Sequence, residues 1–192
     1  MSAPPEVAGP AGAVLQAIIE AATDVTAATE GWILAPRDQR LFVVAAAGDR
    51  PGQLLGASVP AGEGSAGYVV GSGQPLALAP RGGDDRGTSL VAGLIGLRPA
   101  SVLCVPCSGD DAVAGALEVV DKAGGGRFTL DDVELTTLLG GIAGVALSQI
   151  AATGPAAPTP AELGGGLHRL AELDPARYAT LATAIGSLLD RG

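Results

Sequence analysis

Basic and aromatic residues are scarce in this chain. Among 192 residues there are 11 Lys or Arg against 20 Asp or Glu, which gives a formal net charge of −9. Binding to nucleic acid requires clustered cations to meet the phosphates, whereas here they are scattered and Lys122 is the only lysine. The sequence therefore argues against nucleic acid as a partner. Aromatic residues make up 3% of the chain, so we expect a core of Ala, Val, Leu and Ile.

Histidine and cysteine are almost as rare. The chain has one histidine, His168, and two cysteines, Cys104 and Cys107. A zinc site needs more ligands than these, and nucleophilic catalysis needs a base inside the domain. We therefore predict no metal, no cofactor and no catalytic residues. In a strand, residues three apart point to opposite faces, so we interpret Cys104 and Cys107 as small buried side chains. A redox enzyme that uses this pair is the less favoured alternative.

Targeting and membrane signals are also missing. Residues 1–10 have neither basic residues nor an apolar stretch, so they do not resemble a secretory signal. Residues 135–152 are uncharged, but they include polar residues and glycines and have no closely flanking cation. We interpret this segment as a helix that packs in a soluble domain, and expect no membrane span and a cytoplasmic location.

What the chain does have is a strongly apolar hairpin over residues 101–122. Each arm is apolar on both faces, which is typical of a strand covered on both sides. Residues 108–111 form the predicted turn between the arms. A Gly-rich loop, Phe128 and a helix from Asp131 follow.

Helices and strands alternate without regular strand–helix–strand crossovers. The predicted helices cover residues 12–28, 65–70, 89–95 and 131–151; the other predicted strands cover residues 32–35, 41–46, 54–59 and 75–79. This order predicts an α+β fold, an antiparallel sheet flanked by helices. We expect four segments: a disordered N-terminus (1–10), a domain (11–152), a Pro-rich linker (153–160) and a short helical tail (161–192).

Several short motifs occur in a characteristic order. They are the Gly-rich helix start at residues 59–70, Gly73-Gln74-Pro75, Ser101 to Pro106, Gly115 to Glu118, and Lys122 with Phe128 and Asp132. Over residues 12–151 this order resembles GAF domains, a PAS-related family of small-molecule sensor and dimerisation modules. Abundant Ala, Gly, Pro and Arg are typical of a GC-rich bacterial genome, so we expect a stand-alone bacterial member.

The resemblance implies a ligand between the sheet and a variable loop–helix segment. The candidate lining residues are Tyr68, Arg86, Ser101 and Glu118, of which Arg86 would pair an anionic ligand; the alternative is a pocket filled by Leu and Val.

Nucleotide-binding members carry an Asn-Lys…Phe…Asp-Glu signature. This chain has Asp121 in place of the Asn and Val133 in place of the Glu, which argues against a cyclic nucleotide. We interpret Lys122 and Asp132 as a structural ion pair.

We therefore expect a non-enzymatic sensor or protein-interaction module in bacterial signalling. Family members that reduce methionine sulfoxide use loop cysteines, and this chain has none before Cys104. We expect a homodimer through the first and last domain helices, where Gly140, Gly141 and Gly144 would admit a partner helix. The alternative is that the apolar stripes of these two helices only cover the sheet.

The tail allows a second interpretation, in which the chain is a scaffold or cargo-type protein. An apolar stripe of Tyr178, Leu181, Ile185 and Leu188 would dock residues 161–190 on a partner or fold them back on the domain. Residues 185–188 also resemble the short C-terminal tags that load proteins into bacterial encapsulin shells.

Overall fold

A six-stranded antiparallel sheet forms the centre of the first of two units, residues 1–153 and 154–192. The computed structural model describes residues 9–79, 88–109, 112–153 and 160–189. The strands are β1 (Ala28–Arg37), β2 (Arg40–Ala47), β3 (Ser58–Pro60), β4 (Leu76–Leu78), β5 (Val102–Ser108) and β6 (Val113–Lys122). Their order across the sheet is β3-β2-β1-β6-β5-β4, and every neighbouring pair is antiparallel.

Helices cover both faces of the sheet. On one face lie α1 (Pro10–Thr26) and, near the end of the unit, α5 (Leu130–Thr153), which pack against each other and against the strands. On the other face lie the short helices α3 (Gly64–Ser72) and α4 (Leu90–Leu94), preceded by one helical turn, α2 (Pro51–Leu54). The predicted α+β class with its antiparallel sheet is confirmed.

The strands are apolar on both faces because each face has its own core. Leu103, Val105 and Cys107 of β5 belong to the core beneath α1 and α5. Val102 and Cys104 belong to the core beneath α3 and α4. The alternation of side chains along a strand therefore places the two cysteines on opposite faces.

The prediction of a strand over residues 54–59 is wrong in its first half. Leu54 is buried at the end of α2, and Gly56 takes a positive φ of 77° that ends any extended run. The backbone then joins the sheet through Ala57, whose carbonyl accepts from the N–H of Val43 at 2.9 Å. Strand β3 is therefore only three residues long.

Two of the three glycines of α5 let this helix lie close to its own sheet. A Cβ at Gly140 would lie 2.8 Å from the carbonyl oxygen of Pro106, and one at Gly144 would collide with the backbone of Ser108. Both neighbours belong to β5. Only Gly141 of the three glycines faces open space, so the expectation that all three admit a partner helix is corrected.

Helix α5 is long and apolar enough over Leu130–Ala151 to cross a membrane by length and composition alone. Core helices of folded domains pass the same test, and α5 packs against β5, β6 and α1.

The second unit contains two helices, α6 (Pro160–Leu173) and α7 (Pro175–Leu189). Asp174 begins α7 as its N-cap, because its Oδ1 accepts from the N–H of Arg177 at 3.0 Å. Of the predicted disordered N-terminus (1–10), residues 1–8 lie outside the described residues, and Pro10 begins α1. Of the predicted hairpin turn (108–111), residues 110–111 lie outside them. Of the predicted linker (153–160), residues 154–159 lie outside them, while Thr153 ends α5 and Pro160 begins α6.

Candidate functional site

The carboxyl group of Glu118 is fully buried at the middle of the sheet. Glu118 lies on β6 directly opposite Trp32 of β1 and Cys104 of β5. Residues that pair directly across neighbouring strands point to the same face. These three side chains therefore form a row on the face that α3 and α4 cover.

Three neutral donors surround this carboxylate. The indole Nε1–H of Trp32 donates to Oε2 at 2.6 Å, and the hydroxyl of Ser89 donates to the same oxygen at 2.7 Å. The hydroxyl of Ser65 donates to Oε1. Glu118, Trp32, Ser65 and Ser89 are called the Glu118 cluster below.

The cluster fastens both short helices to the sheet. Ser65 lies in the first turn of α3, and Ser89 is the N-cap of α4, where its Oγ also accepts the N–H of Ala92 at 3.2 Å. One carboxylate therefore holds two separate elements through one hydroxyl each. Such a buried polar network specifies a single arrangement of the elements that it joins.

Burial dominates the electrostatics of the cluster. Removal from water raises the pKa of Glu118 above its ordinary value, although the three donors act in the opposite direction. No Lys or Arg of the described residues lies within ion-pair distance of this carboxylate. Burial also raises the pKa of Cys104 well above its usual range, and the nearby charge of Glu118 adds to that effect.

The structure separates the three described residues of the four that were predicted to line a ligand site. Glu118 lies at the centre of the cluster. Ser101 is buried, but its Oγ accepts the N–H of Lys122 at 3.0 Å and so supports the end of β6. Tyr68 lies on α3 with about half of its side chain exposed. Arg86 lies outside the described residues.

Sequence reasoning missed the other three members of the cluster. Ser65 and Ser89 were visible as the starts of predicted helices. That their hydroxyls meet one carboxylate depends on how α3 and α4 pack, which no local pattern encodes. Trp32 faces Glu118 through the pairing of β1 with β6, across 86 residues of chain.

A second polar cluster joins the end of β6 to the start of α5. The ammonium group of Lys122 lies 2.7 Å from Asp132 Oδ2 and donates to the carbonyl oxygen of Thr26 at 3.0 Å. Asp132 Oδ2 also accepts the N–H of Thr129 at 2.6 Å, while Thr129 Oγ1 accepts the N–H of Asp132 at 3.3 Å. This reciprocal pair is a capping box.

The charges in this second cluster serve local structure. Burial raises the pKa of Asp132, but hydrogen bonds from Lys122 and Thr129 outweigh it, and the pKa is lowered overall. Asp121, which replaces the family's Asn, takes a positive φ of 53°, and its Oδ1 accepts the N–H of Ala100 at 2.6 Å. Asn and Asp both tolerate that backbone conformation, so this position fits a structural role.

An apolar groove lies between α1 and α5, on the side of these helices that does not face the sheet. Its volume is about 350 Å³, and its lining includes Val14, Ile142 and Val145. Leu135 and Leu138 extend the exposed apolar surface along α5, while Ala143, Ala146 and Leu147 face the core. Helix α5 is therefore apolar on two sides.

The comparisons with known proteins decide the family. A sequence profile described as GAF domain matches residues 10–148 of this chain. The chain belongs to the GAF domain family. The predicted resemblance is confirmed, and the Glu118 cluster lies inside the matched residues. No curated protein matches the chain.

Solved structures of GAF domains share this fold. The GAF-B domain of DevS from Mycobacterium smegmatis is 22% identical with a TM-score of 0.59, and the match covers 74% of this chain and 96% of that one. The GAF domain of a phosphoenolpyruvate-protein phosphotransferase from Coxiella burnetii is 16% identical with a TM-score of 0.65, and the match covers 77% of this chain and 89% of that one.

A type II free methionine-R-sulfoxide reductase from Thermoplasma acidophilum is also similar. It is 12% identical with a TM-score of 0.59, and the match covers 73% of this chain and 94% of that one. At these identities the likeness shows the fold alone.

Proposed function

We propose that this GAF domain is a non-enzymatic, cytoplasmic sensor of a small molecule in bacterial signalling, and that it works as a homodimer. The observation that carries the sensory part is the Glu118 cluster. It lies between the sheet and α3 and α4, the layer in which the family resemblance places the ligand.

Burial of the Glu118 carboxylate costs folding free energy, and a domain that only provides a scaffold has no need of such a group. Moving a carboxylate out of water costs several kcal/mol, and well-packed apolar residues often replace buried ion pairs without loss of stability. The same layer already contains a large apolar core, including Val69, Val91 and Val102. A carboxylate there favours recognition over packing as its role.

Screening by thermal shift tests the sensory function. Nucleotides and small metabolites are added to the full chain and to the variant Glu118→Gln, which keeps the shape and removes the charge. We expect at least one compound to raise the melting temperature of the wild type and to lose this effect in the variant. Glu63→Gln, an exposed acid at the start of α3, is the matched control and keeps the response. If no compound raises the melting temperature, a scaffold or interaction role replaces the sensory one.

The homodimer is supported by the exposed side of α5. Leu135, Leu138, Ile142 and Val145 are about half exposed or more, and their spacings of three, four and three residues form the seam that pairs helices in coiled coils. No charged residue occurs over residues 135–153. A second copy of a chain with a net charge of −9 can approach this surface without direct repulsion.

Light scattering at micromolar concentration tests the dimer. Ile142, which is 55% exposed, is changed to Glu, and Leu94, which is 53% exposed on α4, is changed to Glu as the matched control. We expect the wild type and Leu94→Glu to be dimers and Ile142→Glu to be a monomer. A monomeric wild type would contradict the proposal.

The tail supports a second candidate function, in which a protein partner binds through residues 161–190. Leu173 is 84% exposed, and Tyr178 and Leu181 are also exposed, so this part of the tail shows apolar surface. The side chains of Ile185 and Leu188, which belong to the predicted stripe and to the segment that resembles a cargo tag, lie outside the described ones. Deletion of residues 154–192 is expected to leave the melting temperature unchanged and to abolish capture of a partner. A lower melting temperature with an unchanged set of captured proteins would show that the tail only completes the fold.

A further inference from the structure

The negative charge of Glu118 has no counter-charge in the described part of the chain. Its three donors are an indole N–H and two hydroxyls, all of them neutral. The chain's only lysine is engaged with Asp132 at the end of β6. Neutral hydrogen bonds offset part of the desolvation of a carboxylate, but buried charges are usually paired with an opposite charge.

The two hydroxyl groups of the Glu118 cluster can accept hydrogen bonds as well as donate them. A serine hydroxyl rotates freely and can either donate or accept, whereas an indole N–H can only donate. If the hydroxyls of Ser65 and Ser89 turn away from Glu118, two hydroxyl oxygens and one carboxylate oxygen become available. The Trp32 N–H keeps the other carboxylate oxygen occupied. The site then presents three acceptors and one negative charge.

A primary ammonium group matches that set. It carries three donors, no acceptor and one positive charge, as Lys122 shows at its own site. A carboxylate or phosphate would instead meet the like charge of Glu118 in a medium of low dielectric, and a neutral group would leave that charge unpaired.

The surroundings suit the rest of such a ligand. The indole of Trp32, the only tryptophan in the chain, lies beside the carboxylate and holds one of its oxygens through the Nε1–H. Val69, Val91 and Cys104 belong to the same core and would contact an alkyl chain. We propose that the Glu118 cluster binds a small organic cation through a primary ammonium group, a proposal that rests on the sensory function proposed above.

Binding would also change what holds α3 and α4. In the structure described, Ser65 and Ser89 are tied directly to Glu118. With the ammonium group between them, the same residues would hold the helices through the ligand. Occupancy of the site would therefore be linked to the position of α3 and α4 on the sheet.

The indole signal of Trp32 tests the class of ligand directly, because one tryptophan gives one indole ¹H–¹⁵N peak. The full chain is titrated at constant ionic strength with primary alkylammonium chlorides of about two to six carbons, and with carboxylates and alcohols of the same lengths as controls. We expect a saturable shift of this peak with an ammonium ion and none with the matched anion or alcohol. In Glu118→Gln the affinity should fall at least about tenfold, the cost of one lost charge-assisted contact, while Glu63→Gln retains it.

A further variant and the remaining outcomes keep the result decisive. If Glu118→Gln does not fold, Ser65→Ala replaces it, and we expect weaker binding with the indole peak still present. A saturable shift with the carboxylates or alcohols alone would overturn the cationic class and leave the sensory function standing, as would a metabolite hit that carries no cation. An ammonium response that survives unchanged in Glu118→Gln would overturn the assignment to this cluster. Failure of this series and of the metabolite screen together would remove both proposals.

Discussion

Trp32 and Glu118 face each other across β1 and β6, and the indole N–H of Trp32 donates to the Glu118 carboxylate at 2.6 Å. This hydrogen bond joins the largest side chain of the core to its buried charge. It lies between two elements that are 86 residues apart in sequence. The consequences of that buried charge are measurable in the stability of the fold as well as in binding.

Glu118 should make the folded state less stable as the pH rises. Its pKa is raised in the folded state, so the folded protein holds this proton to a higher pH than the unfolded chain does. The contribution of Glu118 to the free energy of unfolding is therefore fully present below about pH 4.5 and is lost as the pH rises through the folded-state pKa. The loss grows with the difference between the pKa of Glu118 in the folded protein and its pKa in the unfolded chain.

Urea unfolding from about pH 4 to about pH 8 measures this effect as the difference between the wild type and Glu118→Gln. Glu30, whose pKa burial also raises, contributes with the same sign in both proteins and cancels in the difference. We expect the advantage of the wild type to shrink as the pH rises. A difference that is constant with pH would contradict the burial of a titrating carboxyl group.

Gly144 should tolerate no side chain. A Cβ there would collide with the backbone of Ser108 in β5, so Gly144→Ala should destabilise the fold by roughly 1–3 kcal/mol in urea unfolding. Gly71→Ala on α3 is the control, because a Cβ there meets nothing within 4 Å. That variant should be about 0.5–1 kcal/mol more stable, since Ala favours a helix over Gly. Equal effects of the two substitutions would show that α5 does not lie directly on β5.

Much of the fold follows from the sequence because its signals are local. The hairpin over residues 101–122 is apolar on both faces, and the motifs around it occur in the GAF order, so the antiparallel sheet and its helices were predicted. The small residues of α5 were ambiguous. Gly140 and Gly144 show only that something approaches closely, and neither residue indicates whether that neighbour is a strand or a second helix.

The composition of the candidate site was harder to predict, because it depends on contacts across long stretches of chain. Glu118 was identified through its motif. Trp32 and Ser89 join it only once β1 pairs with β6 and α4 packs over the sheet. Local periodicity contains no information on such pairings, so a site assembled from four separate elements can be recognised in part at best.

Asp132 should stabilise the fold most strongly near neutral pH. It caps α5 and pairs with Lys122, so Asp132→Ala should lower the free energy of unfolding by about 2 kcal/mol. Its folded-state pKa is lowered below 3.8, which means that its contribution is present above that pH and is lost as the pH falls through the folded-state value. The change of stability with pH that Asp132 causes is therefore opposite in sign to the change that Glu118 causes. The neighbouring exposed acid supplies the control, since Asp131→Ala should change the stability by only a few tenths of a kcal/mol.

The two cysteines should be unreactive in the native protein. Both are fully buried, on opposite faces of β5, and burial raises the pKa of each thiol. Labelling by Ellman's reagent should be at least about 100-fold slower in buffer than in urea, because reaction requires an exposed thiolate. Fast labelling of either cysteine in the folded protein would revive the redox alternative.

The most direct test of the sensory function is the melting temperature of the wild type and of Glu118→Gln with each compound of the metabolite screen. We predict that at least one compound raises the melting temperature of the wild type, that Glu118→Gln abolishes the increase, and that Glu63→Gln retains it. The opposite result, in which no compound stabilises the wild type or the increase is the same in Glu118→Gln, would contradict a ligand site at Glu118.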